Sequence, residues 1–201
     1  MKQCQIFIDS EGDRWFERNK AQLGRHDPVS RAIKDLKLKP KSVLEIGCSN
    51  GWRLAALRDE YGCEVMGLDP SHEAAEDAKK GKVQVWGATA AAMPLRSHSY
   101  DVVIYGWCLY LTDPEDWFRI AMEGDRVLKD HGYLIIHDFN TGNQAYKRPY
   151  EHAEGIFSYH VQWSKLWLAH PWYARIYGRQ EGFDESVTVL RKTTFIPGMA
   201  A

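Results

Sequence analysis

The residues best suited to chemistry lie between two short apolar runs. Gly47-Cys48-Ser49-Asn50-Gly51 follows Ser42-Val43-Leu44-Glu45-Ile46, and Asp69 ends the next apolar run, Glu64-Val65-Met66-Gly67-Leu68. Glycines in a strand-to-helix turn allow close backbone approach and left-handed dihedrals, and the helix that follows begins with unpaired N–H groups. An aspartate at the tip of the adjacent parallel strand stands beside that turn and can accept hydrogen bonds from vicinal ribose hydroxyls. The pattern points to a nucleoside-bearing cofactor. Downstream, His137 and Asp138 follow another apolar run, and His160 and His170 lie further along. These are candidate groups for moving a proton. His137, Asp138 and His160 are the first choices for a catalytic or acceptor-contacting role, each against a structural alternative.

The turn argues against other nucleotide sites. Its spacing is not G-x-G-x-x-G, and no Gly-Lys-Ser/Thr is present to hold a triphosphate. Glu45 would repel a pyrophosphate but attract the amino group or sulfonium of S-adenosylmethionine.

Alternating elements must position these residues. A helix is expected from Asp27, with Pro28 in its first turn, ending before Pro40. Strands are expected over 42–47, 64–68, 83–86, 100–105 and 132–137, with helices over 52–61, from Asp69-Pro70-Ser71 to Lys80, and over 114–128. Strand–helix alternation argues for a parallel sheet covered on both faces, with the strand C-termini on a common edge. Tyr173–Arg179 and Ser186–Lys192 flank a glycine-containing turn and read as an antiparallel pair. One domain over 1–201 is expected, with a helical lid or cap over 1–40 and an irregular substrate-side insertion over 139–171.

The residues also carry a resemblance. Val43-Leu44-Glu45-Ile46-Gly47-Cys48-Ser49-Asn50-Gly51, then Gly67-Leu68-Asp69-Pro70-Ser71, then Gly87-Ala88-Thr89-Ala90-Ala91-Ala92-Met93-Pro94-Leu95 ahead of Ser99-Tyr100-Asp101-Val102-Val103, resembles the class I S-adenosylmethionine-dependent methyltransferases. The likeness spans Val43 to Asn140. It implies a Rossmann-like three-layer α/β sandwich, with a seven-stranded, mostly parallel sheet of order 3-2-1-4-5-7-6 and strand 7 antiparallel. It further implies that the Gly47–Gly51 turn, with Glu45, Cys48 and Ser49, lies against the methionine part of S-adenosyl-L-methionine. Asp69 would hold the ribose, Pro70 and Ser71 would flank the adenosine, and Tyr105, Gly106 and Trp107 would lie near the methionine end. The sequence departs from the family at Ser49, where glycine is usual, and at Thr89, where many relatives carry an aspartate for the adenine amino group. A threonine hydroxyl can accept that bond without the charge assistance, and backbone groups of Ala90 can share the contact.

The implied activity is in-line methyl transfer to a small molecule, leaving S-adenosyl-L-homocysteine. The alternatives are a cofactor-binding partner subunit without turnover and, less favoured by the turn, a nicotinamide-dependent oxidoreductase. Trp15, Phe16, Trp107, Tyr110, Tyr159, Trp163 and Trp167 could line an acceptor pocket or fill a core, with Trp163 and Trp167 leaning to core. Arg14, Arg18, Asn19 and Arg25 form a basic cluster suited to an anionic substrate group or simply to solvent.

Composition sets the remaining bounds. The formal net charge is -1, from 26 Lys plus Arg against 27 Asp plus Glu, so no electrostatic footprint for nucleic acid is present. Cys4, Cys48, Cys63 and Cys108 have no metal-site spacing and read as reduced thiols, so no metal is expected. No apolar run reaches the ~20 residues of a membrane span, and no signal peptide is recognised. A cytoplasmic monomer or homodimer with no membrane or nucleic-acid partner is the expectation.

Overall fold

The computed structural model describes residues 2–142 and 144–193. Met1, Asn143 and residues 194–201 of the expected 1–201 domain lie outside the described residues. The seven strands of the main sheet are β1 (Ser42–Ile46), β2 (Glu64–Leu68), β3 (Val85–Trp86), β4 (Tyr100–Gly106), β5 (Leu128–Phe139), β8 (Tyr173–Gln180) and β9 (Glu185–Lys192). β6 (Tyr146–Pro149) and β7 (Phe157–His160) form a separate antiparallel pair. The sheet order is β3-β2-β1-β4-β5-β9-β8; with the small pair set aside, this is 3-2-1-4-5-7-6. β1 pairs in parallel with β2 and β4, and β9 runs antiparallel to β5 and β8.

The helices are α1 (Gln3–Ile6), α2 (Gly12–Asn19), α3 (Pro28–Asp35), α4 (Trp52–Tyr61), α5 (His72–Ala78), α6 (Trp117–Val127) and α7 (Lys165–Leu168). α3 begins where Asp27 accepts from Ser30 N at 3.1 Å, with Pro28 preset for the first turn. Gly62, at φ 65°, ends α4. α6 is preceded by a 3-10 turn over Pro114–Asp116, so the expected 114–128 helix starts in tighter geometry and stops one residue early. None of the described helices is long and apolar enough to cross a membrane.

Every β1 residue is buried, because helices cover both faces of the central strands. Val43, Val102, Ile104 and Ile135 pack against α3 and α4 on one face; Leu44, Ile46, Val103, Leu134 and Ile136 pack towards α6 on the other.

The N-terminal segment, expected to be helical, is a nearly continuous helix, α1 and α2 joined by a π-helical turn over Phe7–Glu11. Two regions differ from the sequence expectation. The 139–171 region contains the β6–β7 pair and α7 rather than irregular chain alone. β3 is only two residues long, since Val83 and Gln84 precede the ladder to Gly67 and Leu68.

Candidate active site

The turn after β1 takes left-handed geometry at three alternate positions, Gly47 (φ 72°), Ser49 (φ 51°) and Gly51 (φ 69°). A Cβ on Gly47 would stand 2.5 Å from Cys108 Cβ, and one on Gly51 would stand 2.7 Å from Val83 Cγ1. These positions therefore require glycine for space as well as for φ. Ser49 accepts the same region at a cost of ~1 kcal/mol. Gly47 N donates to Leu68 O at 2.8 Å and joins the turn to the end of β2.

Asp69 stands where these strand ends converge. One carboxylate oxygen accepts from Ser49 N at 2.8 Å and the other from Ser71 N at 2.9 Å. Burial pushes its carboxyl up to about 6, against the pull of those two amides. The side chain is partly exposed, and its exposed part faces a cleft of about 950 Å³, counting the open space at the mouth.

Gly47, Asp69, Pro70, Thr89, Ala90 and Trp107 all line this cleft. Strands β1, β2 and β4 present their C-terminal ends here because parallel pairing leaves them on a single edge. The lining is predominantly apolar, so a carboxylate within it faces less competition from water than one on the surface.

The N-terminal helix supplies the opposite wall through Phe7, Gly12 and Trp15. It is tied down at several points. Gln3 N donates to Asp113 Oδ1 at 2.8 Å, Gln3 Nε2 donates to Leu111 O at 3.0 Å, and Gln3 Oε1 accepts from Phe157 N at 2.7 Å. Asp13 accepts from Ser71 Oγ at 2.7 Å and Glu73 N at 3.0 Å, which places α2 across the start of α5. Cys4, Asp113 and Asp116 come within 4.8 Å of one another on this wall. Their carboxylates already serve Gln3 N, Cys4 N and Lys2 Nζ.

The remaining turn residues act from beneath the cleft. Cys48 is buried on the other sheet face, where a Cβ on Gly67 would meet its Sγ at 2.4 Å. Ser49 Oγ is buried with no hydrogen-bond partner among the described residues. Ser71 Oγ accepts from Ala74 N at 3.0 Å and so caps α5. Glu45 is buried in an ion pair with Arg53, whose Nε also donates to Asp27 Oδ1 at 2.9 Å. Burial raises the Glu45 carboxyl to about 7 although Arg53 opposes the rise. A Cβ on Gly106 would stand 2.8 Å from Glu45 Oε1, so the missing side chain lets the β4 end close over the pair.

Four expectations need correction. The Tyr105 side chain does not reach the cleft: it is wholly buried, donates from its hydroxyl to Ile120 O at 3.1 Å and packs 5.2 Å from Trp167. Strand alternation turns it into the α6 layer while its neighbours face the other way. His137 lies behind Trp107, ring centroids 5.2 Å apart, with Nε2 2.7 Å from Glu185 Oε1. Burial lowers its basicity despite Glu185. Asp138 accepts from Leu109 N at 2.9 Å and Phe139 N at 2.8 Å, and so fixes the loop after β4. Desolvation raises it to about 7. His160 is fully buried between the rings of Phe139 (3.8 Å) and Tyr146 (4.5 Å), with both ring nitrogens engaged by Ser158 and Asp184. None of these three proton-carrying groups lines the cleft.

The aromatic set divides. Trp15 and Trp107 face the cleft, whereas Phe16, Trp163 and Trp167 are core. Tyr159 packs edge-on to Trp117. The basic cluster does not converge: Arg18 pairs with buried Glu11, Asn19 donates to Trp15 O, and Arg14 and Arg25 are exposed. Sequence reasoning missed Phe7, Gly12, Asp13 and Arg53. Arg53 alone left a sign, a charge among the apolar positions that α4 buries. The docking of residues 3–22 carried no local signature.

A parallel sheet with an antiparallel seventh strand, a glycine turn after β1 and an acid after β2 define the Rossmann-like class I methyltransferase architecture. Residues 44–136 match the family model described as a methyltransferase domain. The structure is similar to 1,6-didemethyltoxoflavin-N1-methyltransferase of Burkholderia thailandensis, solved with 1,6-didemethyltoxoflavin and S-adenosylhomocysteine bound. That likeness has a TM-score of 0.76 at 17% identity and covers 95% of this chain and 87% of that one. It is also similar to a SAM-dependent methyltransferase from Aquifex aeolicus, with a TM-score of 0.65 at 19% identity over 92% and 98% of the two chains. An uncharacterized protein of Haemophilus influenzae is 31% identical over 106 residues, which are 49% of this chain and 42% of that protein; the match thus spans less than half of that relative.

Proposed function

We propose that the chain transfers the methyl group of S-adenosylmethionine to a small-molecule acceptor. The observation that carries this reading is Asp69, held by the amides of Ser49 and Ser71 and facing a mainly apolar cleft beside Gly47. A carboxylate so placed can accept both ribose hydroxyls, and the Gly47 backbone leaves room for the methionine chain. Pro70, Thr89 and Ala90 bound the space for the adenine. The unpartnered Ser49 hydroxyl fits a polar ligand in the turn. Glu45, Cys48, Gly51 and Ser71 shape the cradle from below, and the Tyr105 backbone contributes only through the β4 ladder.

When bound, the cofactor supplies a methyl group activated by sulfonium, and the acceptor's lone pair takes the carbon while the C–S bonding pair returns to sulfur. This chain's residues contribute alignment and desolvation. Trp107, which lines the cleft, would lie near the positive charge at the methionine end. The α1–α2 segment acts as the lid, and the 139–171 insertion forms the acceptor side. His137, Asp138 and His160 lie outside the cleft lining, so none of the three is offered as a base for the acceptor.

A small-molecule acceptor fits the relative from B. thailandensis, whose own acceptor is a small molecule. A formal net charge of -1 supports a metabolite over nucleic acid. Four free cysteines agree with a reducing cytoplasm, where the chain would work as a monomer or homodimer. Calorimetric titration with S-adenosylmethionine, S-adenosylhomocysteine and a nicotinamide nucleotide tests the reading. Binding of the two sulfur compounds alone is expected; no binding of either at millimolar concentration would sink it.

A further inference from the structure

A cavity of about 710 Å³, counting its open mouth, lies over β8 and β9 at the outer end of the sheet. No described residue lines both this cavity and the cleft beside Gly47. A one-residue bulge shapes it. Arg175 pairs with Leu190 and Tyr177 with Val189, so Ile176 is an extra residue in β8. In a regular ladder Ile176 would share a face with Gly178 and Thr188, which pair with each other. The bulge gives that place to Arg175. A Cβ on Gly178 would stand 3.8 Å from Arg175 Cδ and would meet nothing closer, so the arginine stem runs over an open floor.

That floor is polar. On this face of β9, Leu190 belongs to the core, whereas Ser186 and Thr188 line the cavity, and both are buried. Ser186 Oγ accepts from Asn140 Nδ2 at 2.9 Å and keeps its own proton available; Thr188 Oγ1 has no hydrogen-bond partner among the described residues. The Arg175 guanidinium likewise forms no hydrogen bond or ion pair with a described residue. Arg179 borders the rim, with Nε 3.5 Å from Glu181 Oε1. No carboxylate is among the described lining residues, because those of the β8–β9 turn are engaged elsewhere: Glu181 by Arg31, Asp184 by His160 and Glu185 by His137. The lining charge is therefore positive and uncompensated. A guanidinium offers N–H groups and no acceptor, and both hydroxyls can turn their protons towards the cavity. An oxyanion matches this set in sign and shape. Phosphate fits better than carboxylate, since it carries up to two charges and three free oxygens for the three donor groups.

We propose that this cavity is a second ligand site, which binds the phosphate group of a small polar molecule through Arg175, Ser186 and Thr188. It stands apart from methyl transfer, and its test needs no cofactor.

The full chain, free of cofactor, is titrated calorimetrically at low salt with glycerol 3-phosphate, inorganic phosphate, succinate and glycerol. Both phosphates are expected to bind, succinate about fivefold more weakly and glycerol not at all. A tighter ester identifies a phosphorylated metabolite as the occupant and equal affinities identify free phosphate; either supports the site. Arg175→Ala should weaken phosphate binding about tenfold, and Arg175→Lys should restore only part of it, because an ammonium lacks the fork. Gly178→Val keeps every charge but fills the floor. It should abolish binding and retain the native circular dichroism spectrum, since the position is exposed on an edge strand. Arg191→Ala, at an exposed guanidinium outside the cavity, should change nothing. No phosphate binding at millimolar concentration, succinate binding as tightly as phosphate, or equal losses in Arg175→Ala and Arg191→Ala overturns the proposal. Unaltered binding in a folded Gly178→Val protein overturns it too. Titration with S-adenosylhomocysteine is a separate measurement, and its failure would overturn the cofactor reading while leaving this result in place.

Discussion

Lowering the pH should weaken cofactor binding through Asp69, by an amount that follows from its surroundings. Burial raises this carboxyl from 3.8 to about 6. In the free protein, ionising it therefore costs stability as pH rises from about 4 to about 6. Ribose hydroxyls donating to the carboxylate favour the ionised form, so full affinity is present above about 6 and is lost as pH falls through that value. The ionised fraction is about 0.97 at pH 7.5 and about 0.09 at pH 5, which predicts a roughly tenfold rise in Kd for S-adenosylhomocysteine. An aspartate at its ordinary value would still be about 94% ionised at pH 5 and would show almost no change.

Asp69→Asn supplies the control. Its amide can accept from Ser49 N or Ser71 N but not both, so one N–H faces another donor at a cost of about 1–3 kcal/mol. The variant should bind weakly at pH 7.5 and lose little more by pH 5. Glu45 and Asp138, both raised to about 7, titrate in wild type and variant, with Asp69 only the smallest influence on Glu45 after burial, Arg53 and Asp27. The difference between the two calorimetric pH profiles consequently isolates Asp69. Parallel profiles, or a wild-type affinity that stays flat from pH 7.5 to 5, would refute the assignment of ribose binding to this carboxylate.

Gly47→Ala forces a methyl group to 2.5 Å from Cys108 Cβ at φ 72°, and urea denaturation should show a loss of about 2–4 kcal/mol with S-adenosylhomocysteine binding abolished. Arg53→Met strands buried Glu45 and should cost up to about 3–5 kcal/mol at pH 8, less at pH 5.5 where Glu45 is protonated. Adding Glu45→Gln to Arg53→Met should recover most of that loss, and an unaltered urea midpoint in Arg53→Met alone would show that the pair carries no such weight.

Local rules specified much of the frame. The Asp27-Pro28 start, the Gly62 stop and the apolar runs at β1, β2, β4 and β5 are decided by short-range sterics and hydrophobic period, so they could be located without tertiary information. The turn from Gly47 to Gly51 and the acid at Asp69 were legible for the same reason: both belong to strand ends whose proximity follows from parallel pairing. The antiparallel β8–β9 pair was marked by its glycine-containing turn, and its placement beside β5 agrees with the family likeness.

Tertiary structure decided the use of the polar side chains. Each of His137, Asp138 and His160 looked able to move a proton, because a sequence shows chemistry but not direction. In the fold, Glu185, the loop amides and a two-ring stack claim them. The lid was hidden for a related reason. Its docking runs through Gln3 to Phe157, Asp13 to Ser71 and Glu11 to Tyr150, contacts that span between 58 and 154 residues. The glycine turn and Asp69 thus fix the cofactor reading from the sequence alone. The walls of the cleft and the ring cluster of Trp107, Tyr110 and Phe139 exist only because chain segments far apart in sequence pack together.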